Sequence, residues 1–244
     1  MTIGPRRIRV ATYNVHKCRG LDRQTSISRI AKVIRRLDAD IVALQEILDV
    51  RNDKPEYDQA RGLLHDLKEY HASFGENRTL HGGAYGNMTL SRIPTVYSEN
   101  YDLTWQRRER RGCLRTDFNL GGTTLHVFNV HLGTSFRERR HQARQLVGPN
   151  ILKRDVPAGP RIVVGDFNEW TRGLASRLMG EAFRVAEPKA HLRSGRTYPG
   201  ILPFLHLDHF YYDASLTLLT LRLHRRRDAL IASDHLPLVA EFKF

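Results

Sequence analysis

The sequence has little cysteine and no long apolar segment. Its 244 residues contain two cysteines, Cys18 and Cys113, which excludes a disulfide scaffold and a multi-cysteine zinc site and favours a reducing compartment. No apolar run reaches the roughly 18–20 residues of a membrane-spanning helix, so an integral membrane protein is excluded. The first residues, MTIGPRRIRVATYNV, lack the apolar core and cleavage site of a secretory signal. These absences predict a cytoplasmic protein.

Several common catalytic motifs are also absent. The sequence has no His-Glu-x-x-His, no Gly-x-Ser-x-Gly and no Walker phosphate loop, so zinc proteases, serine hydrolases and P-loop enzymes have no motif support. Positive charge, by contrast, is abundant. Lysine and arginine total 39 against 26 acidic residues, which gives a formal charge of +13 at pH 7. Such a surface attracts nucleic acid, anionic lipid headgroups or phosphorylated metabolites, and charge alone does not choose among them.

Short apolar strands alternate with a few helical segments along the chain. Neither a repeat nor a long linker interrupts this pattern, so it predicts one domain over residues 1–244. The apolar periodicity predicts strands at 8–14, 41–44, 87–91, 123–132, 161–164, 207–212 and 236–244, and helices at 26–38, 58–70 and 135–147.

Polar side chains follow strand after strand. In a layered fold the strand ends gather along one edge, where loops build functional sites. The sequence therefore predicts one composite polar site made from distant segments, and its members are Asn14, Glu46, Asn129, His131, Asp166, Asn168, Asp208, Asp234 and His235.

The residue types in this set favour metal-assisted attack of water on phosphorus. Glu46 directly follows a buried strand, where a carboxylate needs a partner or a cation, and Mg²⁺ prefers such oxygen ligands. Asp166 and Asn168 are two apart, so they face the same way and suit a water or a phosphate oxygen. His235 can shuttle a proton if Asp208 orients it. Each residue taken alone also fits a structural role in a turn or a strand cap.

Seven short motifs follow one another in order and cover essentially the whole chain. The motifs are Thr-Tyr-Asn-Val-His-Lys (12–17), Leu-Gln-Glu (44–46), Gly-Asn-Met-Thr-Leu-Ser-Arg (86–92), Asn-Val-His-Leu (129–132), Gly-Asp-Phe-Asn (165–168), Leu-Asp-His-Phe (207–210) and Ser-Asp-His-Leu-Pro (233–237). Together they resemble the endonuclease/exonuclease/phosphatase superfamily, also called the deoxyribonuclease-I-like fold. The Asn-x-His-Lys form is most similar to a short bacterial branch of the superfamily.

The resemblance implies a fold and a metal site. The fold would be a four-layer α/β sandwich, with two packed, mainly antiparallel β-sheets flanked by helices and the site at one edge. By similarity, Asn14 and Glu46 would hold a divalent metal, with Asp234 contributing through water. Mg²⁺ is the expected ion and Mn²⁺ the alternative.

The resemblance also implies catalytic roles. Asp166 would activate or orient the water, and Asn168 would position it and the phosphate. Asp208 would orient His235, which would contact the scissile phosphate or act as acid or base, and His131 would stabilise the phosphoryl oxygens. Either Asp166 or His235 could be the general base.

One departure from the superfamily pattern concerns the segment after the first strand. Abasic-site endonucleases of the superfamily typically carry Asn-x-Asp-Gly there, whereas this chain has Asn14-Val-His-Lys17. The departure disfavours an abasic-site endonuclease.

Substrate selectivity is expected to depend on basic segments. The 106–113 segment, predicted as a loop, and the 136–141 segment, predicted to begin a helix, would bind phosphates or remain solvated; the run at 224–228 is predicted as a hairpin tip. The expected substrate-binding residues are Asn87, Asn129 and Arg111. The leading function is a phosphodiesterase acting on nucleic acid, with endonuclease or exonuclease activity. The alternatives are a phospholipid-headgroup hydrolase, similar to sphingomyelinases or phosphoinositide phosphatases, and a non-catalytic phosphate-binding module.

Overall fold

A computed structural model describes residues 7–51, 54–153, 158–171, 173–186, 196–199 and 205–244. The strands of this part of the chain are β1 (Arg7–Asn14), β2 (Ile41–Asp49), β3 (His71–Leu80), β4 (Gly83–Ser91), β5 (Thr95–Asp102), β6 (Gly112–Asn119), β7 (Thr124–His131), β8 (Arg161–Asp166), β9 (Arg184–Val185), β10 (Asp208–Tyr212), β11 (Thr217–Leu223) and β12 (Leu238–Lys243). The helices are α1 (Ile27–Leu37), α2 (Gln59–Asp66), α3 (Phe136–Leu146), α4 (Leu174–Ala182) and α5 (Arg227–Ala232), with 3-10 turns at His16–Cys18 and Pro55–Tyr57.

The strands form two six-stranded mixed sheets with the same internal plan. The first has the order β11-β12-β1-β2-β4-β3 and the second β5-β6-β7-β8-β10-β9. One pair in each sheet is parallel, β1 with β2 and β7 with β8, and the remaining pairs are antiparallel. The helices flank the two sheets, which confirms the predicted α/β sandwich.

Three apolar layers hold the sandwich together, because successive strand residues face opposite sides. On β7, Leu125 and Val127 pack between the sheets, whereas Phe128 and Val130 pack toward α3 and α4, as the alternation predicts. On the first sheet the layer beneath α1, α2 and α5 includes Ala11, Tyr13, Val42, Leu44, Ile30, Val33 and Ile34.

Helix α1 shows how local sequence fixes an element. The Ser26 hydroxyl accepts a hydrogen bond from the Arg29 amide at 3.3 Å, so Ser26 is the N-cap of this helix. The helix ends at Asp38, whose backbone is left-handed. Its buried face packs on the first sheet, and its arginines stay largely outside.

The two central parallel pairs bring the predicted site residues to one edge. Asn14 ends β1 beside Gln45 of β2, and His131 ends β7 beside Asp166 of β8. Asp208 begins β10 opposite Asp166 because β8 and β10 are antiparallel. The carboxyl ends of the parallel strands therefore meet at the same edge of the sandwich.

Some elements differ from their predictions. Strand β2 does not end at Gln45-Glu46 but continues to Asp49 through a bulge at which Glu46 adopts φ +63°. The run 224–228 is not a hairpin tip: it leads into α5, because Ala229 and Ala232 are buried in the first helical layer. Among the described residues, no helix has both the length and the apolar character to cross a membrane.

Candidate active site

Asp166 lies at the centre of the polar edge and is almost fully buried. Gly165, directly before it, has φ +143°, and a side chain there would clash with the Val130 carbonyl oxygen of the neighbouring strand. The first position of the Gly-Asp-Phe-Asn motif therefore requires glycine. Asp166 Oδ1 accepts the Asn168 amide at 2.8 Å, and Oδ2 accepts the Asn14 side-chain amide at 3.0 Å. Burial is the main cause that raises the pKa of Asp166 above its ordinary value.

His235 and Asp208 form a hydrogen-bonded pair on one side of Asp166. His235 Nδ1 lies 3.0 Å from Asp208 Oδ2, and its Nε2 lies 3.6 Å from Asp166 Oδ2. Burial alone would lower the pKa of His235, but the charges of Asp208 and Asp166 outweigh it and raise that pKa to about 10. This raised pKa favours the imidazolium form of His235 at neutral pH, and the orienting role of Asp208 stays a prediction.

His131 occupies the other side of the same carboxylate. Its Nε2 lies 3.7 Å from Asp166 Oδ2, and its Nδ1 lies 3.4 Å from Arg111 Nη1. Burial and the adjacent Arg111 guanidinium lower the pKa of His131 to about 4. A neutral His131 accepts the Arg111 proton at Nδ1, which leaves Nε2 protonated and directed at Asp166. Two imidazoles of different charge thus flank one carboxylate oxygen.

Glu46 and Asn14 extend the site toward the first sheet. The Asn14 side-chain nitrogen bridges Glu46 Oε1 at 3.2 Å and Asp166 Oδ2 at 3.0 Å. The Lys17 ammonium contacts Glu46 Oε2 at 2.7 Å. Burial opposes ionisation of Glu46. His131, which is protonated in the acid range where Glu46 titrates, and the Lys17 ammonium prevail over burial and hold the pKa of Glu46 well below its ordinary range. The sequence identified Glu46 and Asn14, whereas it marked Lys17 only as a departure from a motif.

The Glu46 carboxylate fits a hard divalent cation. Glu46 keeps 17% of its side chain exposed, and an ammonium already lies against it. Asn14 directs its side-chain nitrogen at Glu46, while its Oδ1, the atom that would bind a metal, accepts the His16 amide. Asp208 Oδ1, also in the cluster, is buried without a hydrogen-bond partner. One donor atom each from Asp166, Asp208 and His235 lies within 4.8 Å of the others, and the hydrogen bond between His235 and Asp208 already pairs two of these side chains.

Asp234 and Asn168 complete the edge. Asp234 Oδ1 lies 3.6 Å from His16 Nδ1 and accepts the Ser233 hydroxyl at 3.3 Å. The Asn168 side chain donates to the Leu132 carbonyl at 2.9 Å, and its backbone is left-handed at φ +49°. Both residues lie at the edge that sequence reasoning assigned to them, and their roles stay predictions.

Asn129 and Asn87 lie beneath the site, not on its surface. Asn129 donates to the carbonyls of Leu44 and Met88 at 2.9 and 3.1 Å and accepts from Gln45 at 2.8 Å. Asn87 donates to the Gly112 and Asn129 carbonyls at 3.2 Å each. Both side chains are fully buried, so the structure corrects the predicted substrate contact of these two residues to a positioning role between the sheets.

Replacing Asn129 with alanine is expected to lower the free energy of unfolding by about 2–4 kcal/mol. The change removes the Asn129 donor from two buried carbonyls, and the loss of a buried hydrogen bond of this kind costs about 1–3 kcal/mol. The Gln45 amide loses one acceptor but keeps Thr12 and the Ala43 carbonyl. Urea denaturation of both proteins measures the difference. A loss below about 0.5 kcal/mol would contradict the positioning role.

Comparison with known proteins places this site in a family. The sequence model of the Endonuclease/Exonuclease/phosphatase family matches residues 11–235. The chain belongs to that family, whose members hydrolyse phosphoester bonds, typically with a divalent metal ion.

Individual relatives agree with the assignment. The chain is 34% identical to the uncharacterized protein YbhP of Escherichia coli strain K12, over 96% of this chain and 95% of that protein. An endonuclease/exonuclease/phosphatase family protein from Bacteroides thetaiotaomicron superposes with a TM-score of 0.80 at 19% identity, over 98% and 96% of the two chains. A mannosyl-6-phosphatase from the same species gives 0.74 at 18%, over 97% and 100%. The two structural likenesses show the fold.

Proposed function

We propose that this chain is a single-domain, Mg²⁺-dependent phosphodiesterase that acts on nucleic acid, in the cytoplasm. The observation that supports it most directly is the environment of Asp166. One buried carboxylate oxygen lies between a protonated His235 and a neutral His131, next to the Glu46–Asn14 pair. The proposal is supported because a proton acceptor, a cation and the carboxylate that would bind the metal lie around one point.

The charge states divide the catalytic roles. His235 is already protonated near neutral pH, so it serves as a hydrogen-bond donor and acid, held in place by Asp208. Asp166 has a raised pKa and accepts two amide hydrogen bonds, so it orients the attacking water and takes its proton. His131 accepts a hydrogen bond from Arg111 at Nδ1 and directs its Nε2–H toward Asp166, where it stabilises a phosphoryl oxygen.

Glu46 and Asn14 would hold Mg²⁺, or Mn²⁺ as the alternative, with Asp234 reaching it through water. When bound, such an ion neutralises charge that develops on the phosphate and polarises the phosphoryl group. Hard divalent ions of this kind keep several waters and need only one or two protein carboxylates.

The surface beside the site supports a polyanionic substrate. The loop between β5 and β6 exposes Arg107, Arg108 and Arg110, and its last residue, Arg111, contacts His131. The Trp105 ring lies 6.2 Å from the His141 ring of α3, which places this loop beside a helix that is itself rich in arginine. A basic surface thus continues outward from the catalytic edge, as binding of a phosphate backbone requires.

The double substitution Arg108→Ser and Arg110→Ser is expected to weaken nucleic-acid binding and to reduce the salt dependence of that binding. Each phosphate contact contributes a slope of about −0.9 in log K against log salt for duplex DNA, so the double variant should lose up to about two slope units. Retention of a labelled oligonucleotide across a salt series measures this. The control is Lys32→Ser with Arg61→Ser, which removes two exposed charges from α1 and α2. Equal slopes in the two double variants would contradict phosphate binding by the loop between β5 and β6.

Turnover of a substrate panel tests the proposal as a whole. Single-stranded DNA, duplex DNA, RNA, sphingomyelin or phosphoinositide vesicles and a phosphomonoester are compared with Mg²⁺ and with EDTA. The proposal predicts metal-dependent cleavage of a nucleic acid ahead of the other substrates. Preferred cleavage of the vesicles would assign a lipid-headgroup hydrolase instead, and binding without turnover of any substrate would assign a non-catalytic module.

A further inference from the structure

The Lys17–Glu46 ion pair joins two residues whose backbones are both unusual. The backbone angle φ is +46° at His16, +56° at Lys17 and +55° at Cys18. Glu46 has φ +63° at the bulge of β2. Residues other than glycine avoid this region. The ammonium and the carboxylate nevertheless meet at 2.7 Å.

The turn that carries Lys17 is anchored on three sides. The His16 amide donates to Asn14 Oδ1 at 3.0 Å, and the Ser26 amide donates to the Cys18 carbonyl at 2.9 Å. The buried Gln59 side chain donates to the Lys17 carbonyl at 2.6 Å. The surrounding structure therefore fixes the backbone of Lys17, and its side chain extends to Glu46 from a defined origin.

The position of the ammonium coincides with the need of the site for a cation. Lys17 contacts Glu46 Oε2, and the Asn14 side chain contacts Oε1 of the same carboxylate. Both oxygens of the carboxylate that would hold the metal thus already have a partner, and one partner carries a full positive charge. A divalent ion that binds Glu46 must share the carboxylate with this charge or displace it.

We propose that Lys17 is an internal counter-ion that competes with the divalent metal for Glu46. This inference rests on the metal site of the proposed function. Lys17 stabilises the metal-free protein by compensating a half-buried carboxylate, and it lowers metal affinity because like charges repel and because its own ion pair must be broken. Metal loading would therefore release the Lys17 ammonium from Glu46.

Mn²⁺ binding to the whole protein, without substrate, tests the inference. Electron paramagnetic resonance of free Mn²⁺ gives the dissociation constant for the wild type, Lys17→Gln and Glu46→Gln. Glutamine removes the charge, is one atom shorter than lysine, and is not β-branched, so it adds no new backbone constraint at φ +56°. We expect Lys17→Gln to bind Mn²⁺ at least about tenfold more tightly than the wild type. Unchanged or weaker binding would overturn the competition.

Two controls separate this outcome from others. Lys32→Gln removes the same charge from the exposed face of α1, and its affinity should stay within about twofold of the wild type. An equal gain in Lys32→Gln would assign the effect to net charge and overturn the inference. Glu46→Gln should weaken binding: if it does and Lys17→Gln changes nothing, only the competition fails, whereas unchanged binding in Glu46→Gln would reject the proposed metal site itself.

Thermal unfolding gives a second readout that needs no turnover. In EDTA, Lys17→Gln should unfold at a lower temperature than the wild type, because Glu46 is left without its cation. Saturating Mn²⁺ should then stabilise Lys17→Gln more than it stabilises the wild type. Equal stabilisation of the two proteins would contradict the inference.

Discussion

Replacing Asp166 with asparagine is expected to lower kcat on a phosphodiester by at least about a thousandfold. The change keeps the shape of the side chain but removes the carboxylate that lies against both His235 and His131 and that can accept a proton there. Steady-state turnover with saturating Mg²⁺ measures the effect. A kcat within about tenfold of the wild type would contradict the role assigned to Asp166.

Asp117→Asn is the matched control for this variant. Asp117 is also a buried carboxylate of the second sheet that contacts a histidine, His126, at 2.9 Å. Its second charged partner is an arginine, Arg115 at 2.5 Å, where Asp166 has a second histidine. It lies on β6, outside the catalytic edge. This variant should lose stability but keep kcat within about threefold, so a general effect of removing a buried charge is separated from a catalytic one.

His235→Gln is the second variant with a large expected effect. It removes the cation held between Asp208 and Asp166, and we expect kcat to fall by about a hundredfold to ten-thousandfold. Asp208→Asn should give a smaller loss, because that variant keeps the imidazole but weakens its orientation and its positive charge. Equal activity of His235→Gln and the wild type would contradict the mechanism.

The raised pKa of His235 predicts that the stability of the protein depends on pH. The pKa of His235 is raised to about 10 in the folded protein from an ordinary value of about 6.5. Its stabilising contribution is therefore complete below pH 6.5 and is lost as pH rises toward 10. In EDTA, the advantage of the wild type over His235→Gln in unfolding free energy should shrink between pH 7 and pH 10. An advantage that grows over this range would contradict the charged state of His235.

The location of the site could be predicted from sequence because its geometry follows from simple rules. Asn14, His131 and Asp166 each end a short apolar strand, and parallel strands place their carboxyl ends at one edge. His235 was likewise expected beside Asp208. What sequence could not supply is the charge of each imidazole, because burial and the Arg111 contact set it in three dimensions.

Polar strands were missed for a physical reason. Strand β5 has the sequence TVYSENYD at the edge of the second sheet, and most of its side chains are at least partly exposed, so it carries little apolar alternation. The bulge in β2 was missed as well, because a left-handed Glu46 in the middle of a strand leaves no mark in composition.

Burial explains why the two asparagines differ from their prediction, and backbone conformation explains why the role of Lys17 was not predicted. Asn129 and His131 lie on the same face of β7, so the period-two pattern predicts that both contact the substrate. Asn129, two residues before the end of the strand, is instead fully buried between the sheets. Lys17 was visible in the sequence as a departure, but its contact with Glu46 depends on three consecutive left-handed residues that no propensity predicts.

The proposed function requires metal-dependent phosphodiester hydrolysis at Asp166 and its two histidines. The most direct test is hydrolysis of bis-p-nitrophenyl phosphate and p-nitrophenyl phosphate, side by side, with Mg²⁺ and with EDTA, by the wild type and Asp166→Asn. We predict Mg²⁺-dependent hydrolysis of the diester in preference to the monoester, abolished by EDTA and lost in the variant. Hydrolysis that persists in EDTA, or that is equal in Asp166→Asn, would contradict the claim.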